Sequence, residues 1–200
     1  MAEAKLEGYL KHPLLERAGH WIHLLNVTIL ILTGFQIHSP SWNLFGSLNT
    51  ARFLHFIFMY LFCAVGAFHT YHWLVSGEWR DEFPTAESFR TIGPWLRYYL
   101  FLTDEKPQVI KYNPLQKFTY LGMFVISVVQ GVLGFALYWP DLFAAVVNLA
   151  GGLTYVRAYH YLVNWIFIYF LMLHLYLVFS EGLRLLKAMI TGYEAPAEEA

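Results

Sequence analysis

An all-α integral membrane protein, a four-transmembrane-helix bundle with short interfacial helices, is the fold class this sequence predicts. Three observations predict it. The 200 residues are 58% apolar and only 14% charged, against roughly 45–50% and about 25% in globular chains. Four stretches each supply the about 20 mostly apolar residues that a helix needs to cross about 30 Å of hydrocarbon. Their apolar runs are continuous rather than alternating. A bilayer admits only helices or closed barrels, so continuous runs mean helices. The aromatic content of 19% excludes disorder. Cys63, the single cysteine, excludes a disulfide scaffold. A net charge of −1 without a basic run argues against nucleic acid as a partner.

The spans are expected at about 20–38, 53–75, 117–139 and 159–180, within one membrane domain of residues 1–200. The first does not read as a signal peptide, because Glu3, Glu7 and Glu16 precede or open it and no small-residue cleavage site follows. Orientation follows from loop charge. The N-terminal arm, the long middle loop and the C-terminal tail carry eleven Lys and Arg, whereas the opposite side has only Arg52 and Arg157. Both termini are therefore expected in the cytoplasm. Residues 92–102 (IGPWLRYYLFL) mix Trp, Tyr and Arg as an interfacial helix does. Residues 141–150 lie on the outer side, flat on the membrane or against a partner. The acidic tail 193–200 is expected to fray.

Ionisable residues inside a span are costly and mark function, and the chain holds nine histidines. His55 and His69 lie 14 residues apart in the second span, and His160 and His174 lie 14 apart in the fourth. Fourteen residues at ~100° each return to within ~40° of the start and rise ~21 Å, so each pair shares a face with one member near each membrane surface. His55 and His160 form the outer pair. At the inner level His174 can pair with His20 or His69, with His23 and His72 a turn away. His12 and His38 lie at interfaces and read as surface histidines.

Zinc wants four clustered ligands, which one cysteine and spans without carboxylates do not offer. Haem iron takes two axial imidazoles, one from each of two helices. Gly34, Gly66, Gly122, Gly131 and Gly134 lie inside the spans, where small residues let a macrocycle or a neighbouring helix approach. Arg17-x-x-His20, Arg52-x-x-His55 and Arg157-x-x-His160 repeat one pattern. At i,i+3 the two side chains share a helix face. Each arginine is a turn nearer the surface, suited to a haem propionate. The repeat favours His20 over His69 as the inner ligand. Two b haems stacked across the membrane are the expectation.

These residues resemble the cytochrome b subunit of membrane-bound nickel–iron hydrogenases, whose wider relatives serve formate dehydrogenases and thiosulfate reductases. The matching stretches are RAGHWIHLLN, ARFLHFIF, HTYHWLVSGEWRDEFP, YNPLQKFTYLGMF, GVLGFALYWP and RAYHYLVNWIFIYFLMLHLYLVFSEG, and the resemblance covers essentially the whole chain from Leu15 to about Glu181. The resemblance implies two haems b, held by His20 with His174 and by His55 with His160. It also implies an outward-facing iron–sulfur small subunit with a catalytic large subunit, and quinone as the electron acceptor near the cytoplasmic side. Tyr112 departs from the family, which often carries His there. In a different scheme, that of respiratory-chain cytochrome b, spans two and four supply all four ligands and His69 replaces His20.

The chain thus reads as an electron conduit in a bacterial or archaeal cytoplasmic membrane. By depth, His69, His72 and Glu78 are candidates for the quinone, with Tyr71 in a packing role. Two alternatives stand beside this one. The same conduit would serve a formate dehydrogenase or another iron–sulfur oxidoreductase, and a haem-free anchor or transporter would need no imidazole pairs.

Overall fold

The computed structural model describes residues 9–108, 112–180 and 183–194. Its elements run β1 (Tyr9–Leu10), α1 (Leu14–His38), α2 (Leu48–Ser76), α3 (Trp79–Glu82), α4 (Ala86–Tyr99), α5 (Pro114–Tyr138), α6 (Ala144–Ala150), α7 (Leu153–Ser180), α8 (Leu183–Thr191) and β2 (Tyr193–Glu194). Four of the helices, α1, α2, α5 and α7, are long and apolar enough to cross a membrane. Each begins a few residues before its apolar stretch. Hydropathy marks where side chains are apolar, whereas the i→i+4 ladder continues into the interfacial layer, where polar side chains still reach water. Many large apolar side chains on the spans are exposed, among them Phe53, Phe68, Val128, Leu162 and Tyr169. In water that surface would be unfavourable; in lipid it is the solvated face.

Two units divide the chain by its contacts: Met1–Val65 with Tyr161–Ala200, and Gly66–His160. In the first, Asn26 is fully buried at mid-span on α1. With its amide oriented by its partners, it donates to the Phe58 carbonyl and accepts from the Phe62 amide of α2, both at 2.8 Å. Such polar ties hold membrane helices together where apolar burial gives no preference. Gln36 is also buried, and its Oε1 accepts from the Phe45 amide at 2.8 Å, pinning the loop that leads to α2.

Chain ends meet in the same unit. β1 and β2 pair antiparallel, Tyr9 opposite Glu194 and Leu10 opposite Tyr193. The amides of Lys11 and His12 donate to the Gly192 carbonyl at 2.9 and 3.1 Å. Gly192 closes α8 at φ +92°, where a Cβ would stand 3.1 Å from the His12 carbonyl oxygen and 3.2 Å from the Arg17 guanidinium. Two side chains of α1 meet the open carbonyls at the end of α8. Arg17 Nη1 donates to Ile190 O at 2.5 Å, and Trp21 Nε1 donates to Met189 O at 3.1 Å. Those carbonyls have no intrahelical partner, so the donors act as a cap. The tail expected to fray therefore begins with two paired residues; the rest of it lies outside the described residues.

The second unit holds the long loop and α5. Asn113 caps α5 reciprocally with Gln116, each side chain accepting from the other's amide at 2.9 Å, and Pro114 takes the first helical position. Amphipathic α4, which covers most of the expected interfacial stretch, packs on α5 through Phe89 and Phe118, ring centres 4.8 Å apart. Trp95 is buried and stacks on Tyr99. Trp73, near the end of α2, stacks on Phe83 at 5.2 Å. The stretch 141–150 contains α6, which ends at Gly151 with φ +91°.

Candidate functional site

The His20 ring of α1 and the His174 ring of α7 face each other, with centres 6.1 Å apart and planes inclined at 49°. Both are half-buried. Neighbouring rings fix them: Trp21 stands edge-on to His20 at 5.1 Å, and Phe170, one turn before His174, stacks on it at 6.0 Å. His20 Nδ1 is buried and has no hydrogen-bond partner among the described residues. A metal takes an imidazole nitrogen at about 2 Å, so two imidazoles on opposite sides of one ion have ring centres about 6 Å apart. The pair therefore fits the axial ligands of a haem. Among the described residues no three His, Cys, Asp or Glu side chains come together, which does not fit a zinc site.

The other inner candidates are placed differently. His69 is exposed on α2. His23 lies against Phe62, centres 5.1 Å apart. His72 and Glu78, both about half-exposed, stand 3.9 Å apart (Nδ1 to Oε2) at the end of α2 and the turn after it. His12 Nδ1 lies 3.0 Å from Glu16 Oε1, and His38 stacks on Tyr161 at 3.8 Å.

At the other end of α1, His55 Nδ1 lies 2.8 Å from Thr33 Oγ1. The same hydroxyl is 2.7 Å from the Ile29 carbonyl one turn back. Gly34, the next residue, faces the ring, and a Cβ there would stand 3.7 Å from His55 Cε1. In the second unit His160 has a similar neighbour. A Cβ on Gly134 of α5 would stand only 3.3 Å from its Cε1. Of the five glycines read from the spans, these two border histidines; Gly66, Gly122 and Gly131 face open space.

The arginines divide as well. Arg17 is half-buried and bonded to α8, while its Nε is buried with no partner among the described residues. Arg52 and Arg157 are exposed. Tyr112 lines a cavity of about 580 Å³ with Asp81, Glu87, Trp95 and Lys117. Thr33 is the residue that spacing did not single out. A threonine inside a span ordinarily satisfies its hydroxyl on its own helix, so nothing in the sequence distinguishes one that also meets a histidine.

A family model described as prokaryotic cytochrome b561 matches residues 11–192. The chain is 29% identical over 203 residues to a probable Ni/Fe-hydrogenase B-type cytochrome subunit of Cupriavidus necator, covering 88% of this chain and 83% of that one. With the subunit of the same description from Azotobacter vinelandii it shares 30% identity, over 88% of this chain and 84% of that one. A putative protein-methionine-sulfoxide reductase subunit of Azospira oryzae is 29% identical, over 94% of this chain and 98% of that one.

Proposed function

The chain belongs to the prokaryotic cytochrome b561 family and is a multi-pass membrane cytochrome of b type, and from that premise we propose that it is the membrane subunit of a respiratory nickel–iron hydrogenase. In this reading it takes electrons from an outward-facing iron–sulfur small subunit, itself joined to the catalytic large subunit, and passes them to quinone on the cytoplasmic side. Both termini face the cytoplasm, as the distribution of eleven Lys and Arg against two supports.

The observation that carries the reading is the His20–His174 pair at 6.1 Å. These two imidazoles would hold the inner haem iron. His55 and His160 would hold the outer one, an assignment that rests on their spacing and on the repeated Arg-x-x-His pattern. When bound, haem supplies a one-electron couple whose potential follows axial ligation, hydrogen bonding and burial. The chain's part is to keep each imidazole neutral, oriented and away from water. Arg17, Arg52 and Arg157 would donate to propionates; Arg17 Nε, buried and unpartnered among the described residues, fits an acceptor of this kind. Quinone reduction consumes protons. His72 with Glu78, and His69 a turn earlier, form an exposed titratable group that can deliver them from the inner side.

A second reading keeps the haems and changes the partner. The relative named as a methionine-sulfoxide reductase subunit, aligned over nearly its whole length, favours it. Isolating the intact complex and identifying its largest subunit separates the two.

The test of the haem reading is a reduced-minus-oxidised absorbance spectrum with haem counted per chain. Two haems are expected in the wild type, one in His20→Ala and in His174→Ala, and two in His69→Ala. Loss of a haem in His69→Ala with none lost in His20→Ala overturns the inner assignment. A colourless wild-type protein overturns the reading altogether.

A further inference from the structure

We infer that Thr33 is a positioning residue for His55: its hydroxyl accepts the Nδ1 proton and so fixes which ring nitrogen is offered to a metal. The inference rests on His55 being a haem ligand. Three distances carry it. Thr33 Oγ1 is 2.7 Å from Ile29 O, 3.1 Å from Leu30 O and 2.8 Å from His55 Nδ1. A carbonyl can only accept, so at 2.7 Å the hydroxyl proton must point to Ile29. Were it turned to the histidine, two oxygen acceptors would face each other at hydrogen-bond distance. With its one proton directed to Ile29, Oγ1 can meet His55 Nδ1 only as an acceptor. The proton of the neutral imidazole is therefore on Nδ1, and the lone pair is on Nε2.

Burial makes the arrangement stringent. Thr33 is wholly buried, so no water competes for either bond, and an unmatched N–H in an apolar span is costly. The chain of bonds runs His55 Nδ1–H to Thr33 Oγ1–H to Ile29 C=O. Metal-bound histidines characteristically donate their second N–H to such an acceptor, which fixes the ring's orientation and raises its basicity. Gly34 leaves the ring edge room beside the same turn. By contrast, His20 Nδ1 has no such acceptor among the described residues. Thr33 accordingly tunes one haem of the two, and a more basic imidazole favours ferric over ferrous iron, which lowers that haem's potential.

The experiment is a redox titration of the purified, haem-loaded protein, with low-spin electron paramagnetic resonance of the oxidised form. Thr33→Val keeps the shape and removes the acceptor. It is expected to raise the midpoint potential of one haem, to shift that haem's low-spin signal and to leave the other at wild-type values. Thr33→Ser restores both. His55→Ala, counted for haem, tests the underlying ligand assignment separately and is expected to lose one. Should His55→Ala keep two haems, the ligand assignment fails and the role of Thr33 falls with it. If His55→Ala loses one while Thr33→Val changes neither potential nor signal, the ligand stands and the positioning role is overturned. Loss of haem in Thr33→Val supports the role only when Thr33→Ser restores it; loss in both variants marks a packing position and overturns the role.

Discussion

The two ends of α1 hold their histidines by different means. Near its start, His20 is located by shape: Trp21 stands against one side, His174 faces it, and no polar atom among the described residues meets Nδ1. Near its other end, Thr33 holds His55 by a directed bond. Aromatic packing limits where a ring can go but leaves its rotation and tautomer open, whereas a hydrogen bond to a buried hydroxyl fixes both. The first arrangement depends on α8, because Trp21 and Arg17 are themselves anchored to its last carbonyls. The second is a bond between α1 and α2.

The largest effect expected from breaking this contrast is at Trp21. Trp21→Ala removes the ring beside His20 and the bond to Met189, and is expected to cost about 2–3 kcal/mol of stability, less than a fully buried Trp because part of the ring is exposed. Thermal unfolding in detergent measures it, and Trp21→Phe should recover all but about 1 kcal/mol. The two glycines sharpen the comparison next. Alanine at Gly134 must displace the His160 ring, which a Cβ would meet at 3.3 Å, and overpacking of this kind costs about 1–3 kcal/mol. At Gly34 the corresponding distance is an ordinary 3.7 Å, so Gly34→Ala is expected to be neutral, or stabilising by up to about 1 kcal/mol through helix propensity. Equal losses of stability and haem in both variants would contradict the difference. The smallest effect is at Arg17. Arg17→Met keeps the apolar stem and deletes the cap on Ile190, a change of about 1 kcal/mol. It should appear as roughly five-fold faster proteolysis of the tail.

How much of this was legible beforehand depends on the range of the interaction. The repeated Arg-x-x-His and the 14-residue spacings lie within single helices, where 3.6 residues per turn converts sequence separation directly into a shared face. Gly34 and Gly134 were visible as small residues inside spans, although nothing distinguished them from Gly66, Gly122 and Gly131. Thr33 was invisible for the same reason as the cap that Arg17 places on α8: each meets a partner on another helix. Arg17 read as a propionate donor because its own helix puts it a turn from His20. Its bond to Ile190, 173 residues along the chain, has no counterpart in that spacing.

Sequence alone determined the number of spans, the membrane class and the set of histidines worth considering. Hydrocarbon demands about 20 apolar residues per crossing and makes every ionisable group inside a crossing conspicuous. Only the tertiary structure decided that the ring meeting His174 is His20 while His69 is exposed, and that a threonine hydroxyl meets His55. Those outcomes turn on the rotation and axial offset of one helix against another. These are set by side-chain packing and polar ties such as Asn26 between α1 and α2, and no periodicity within a single helix records them.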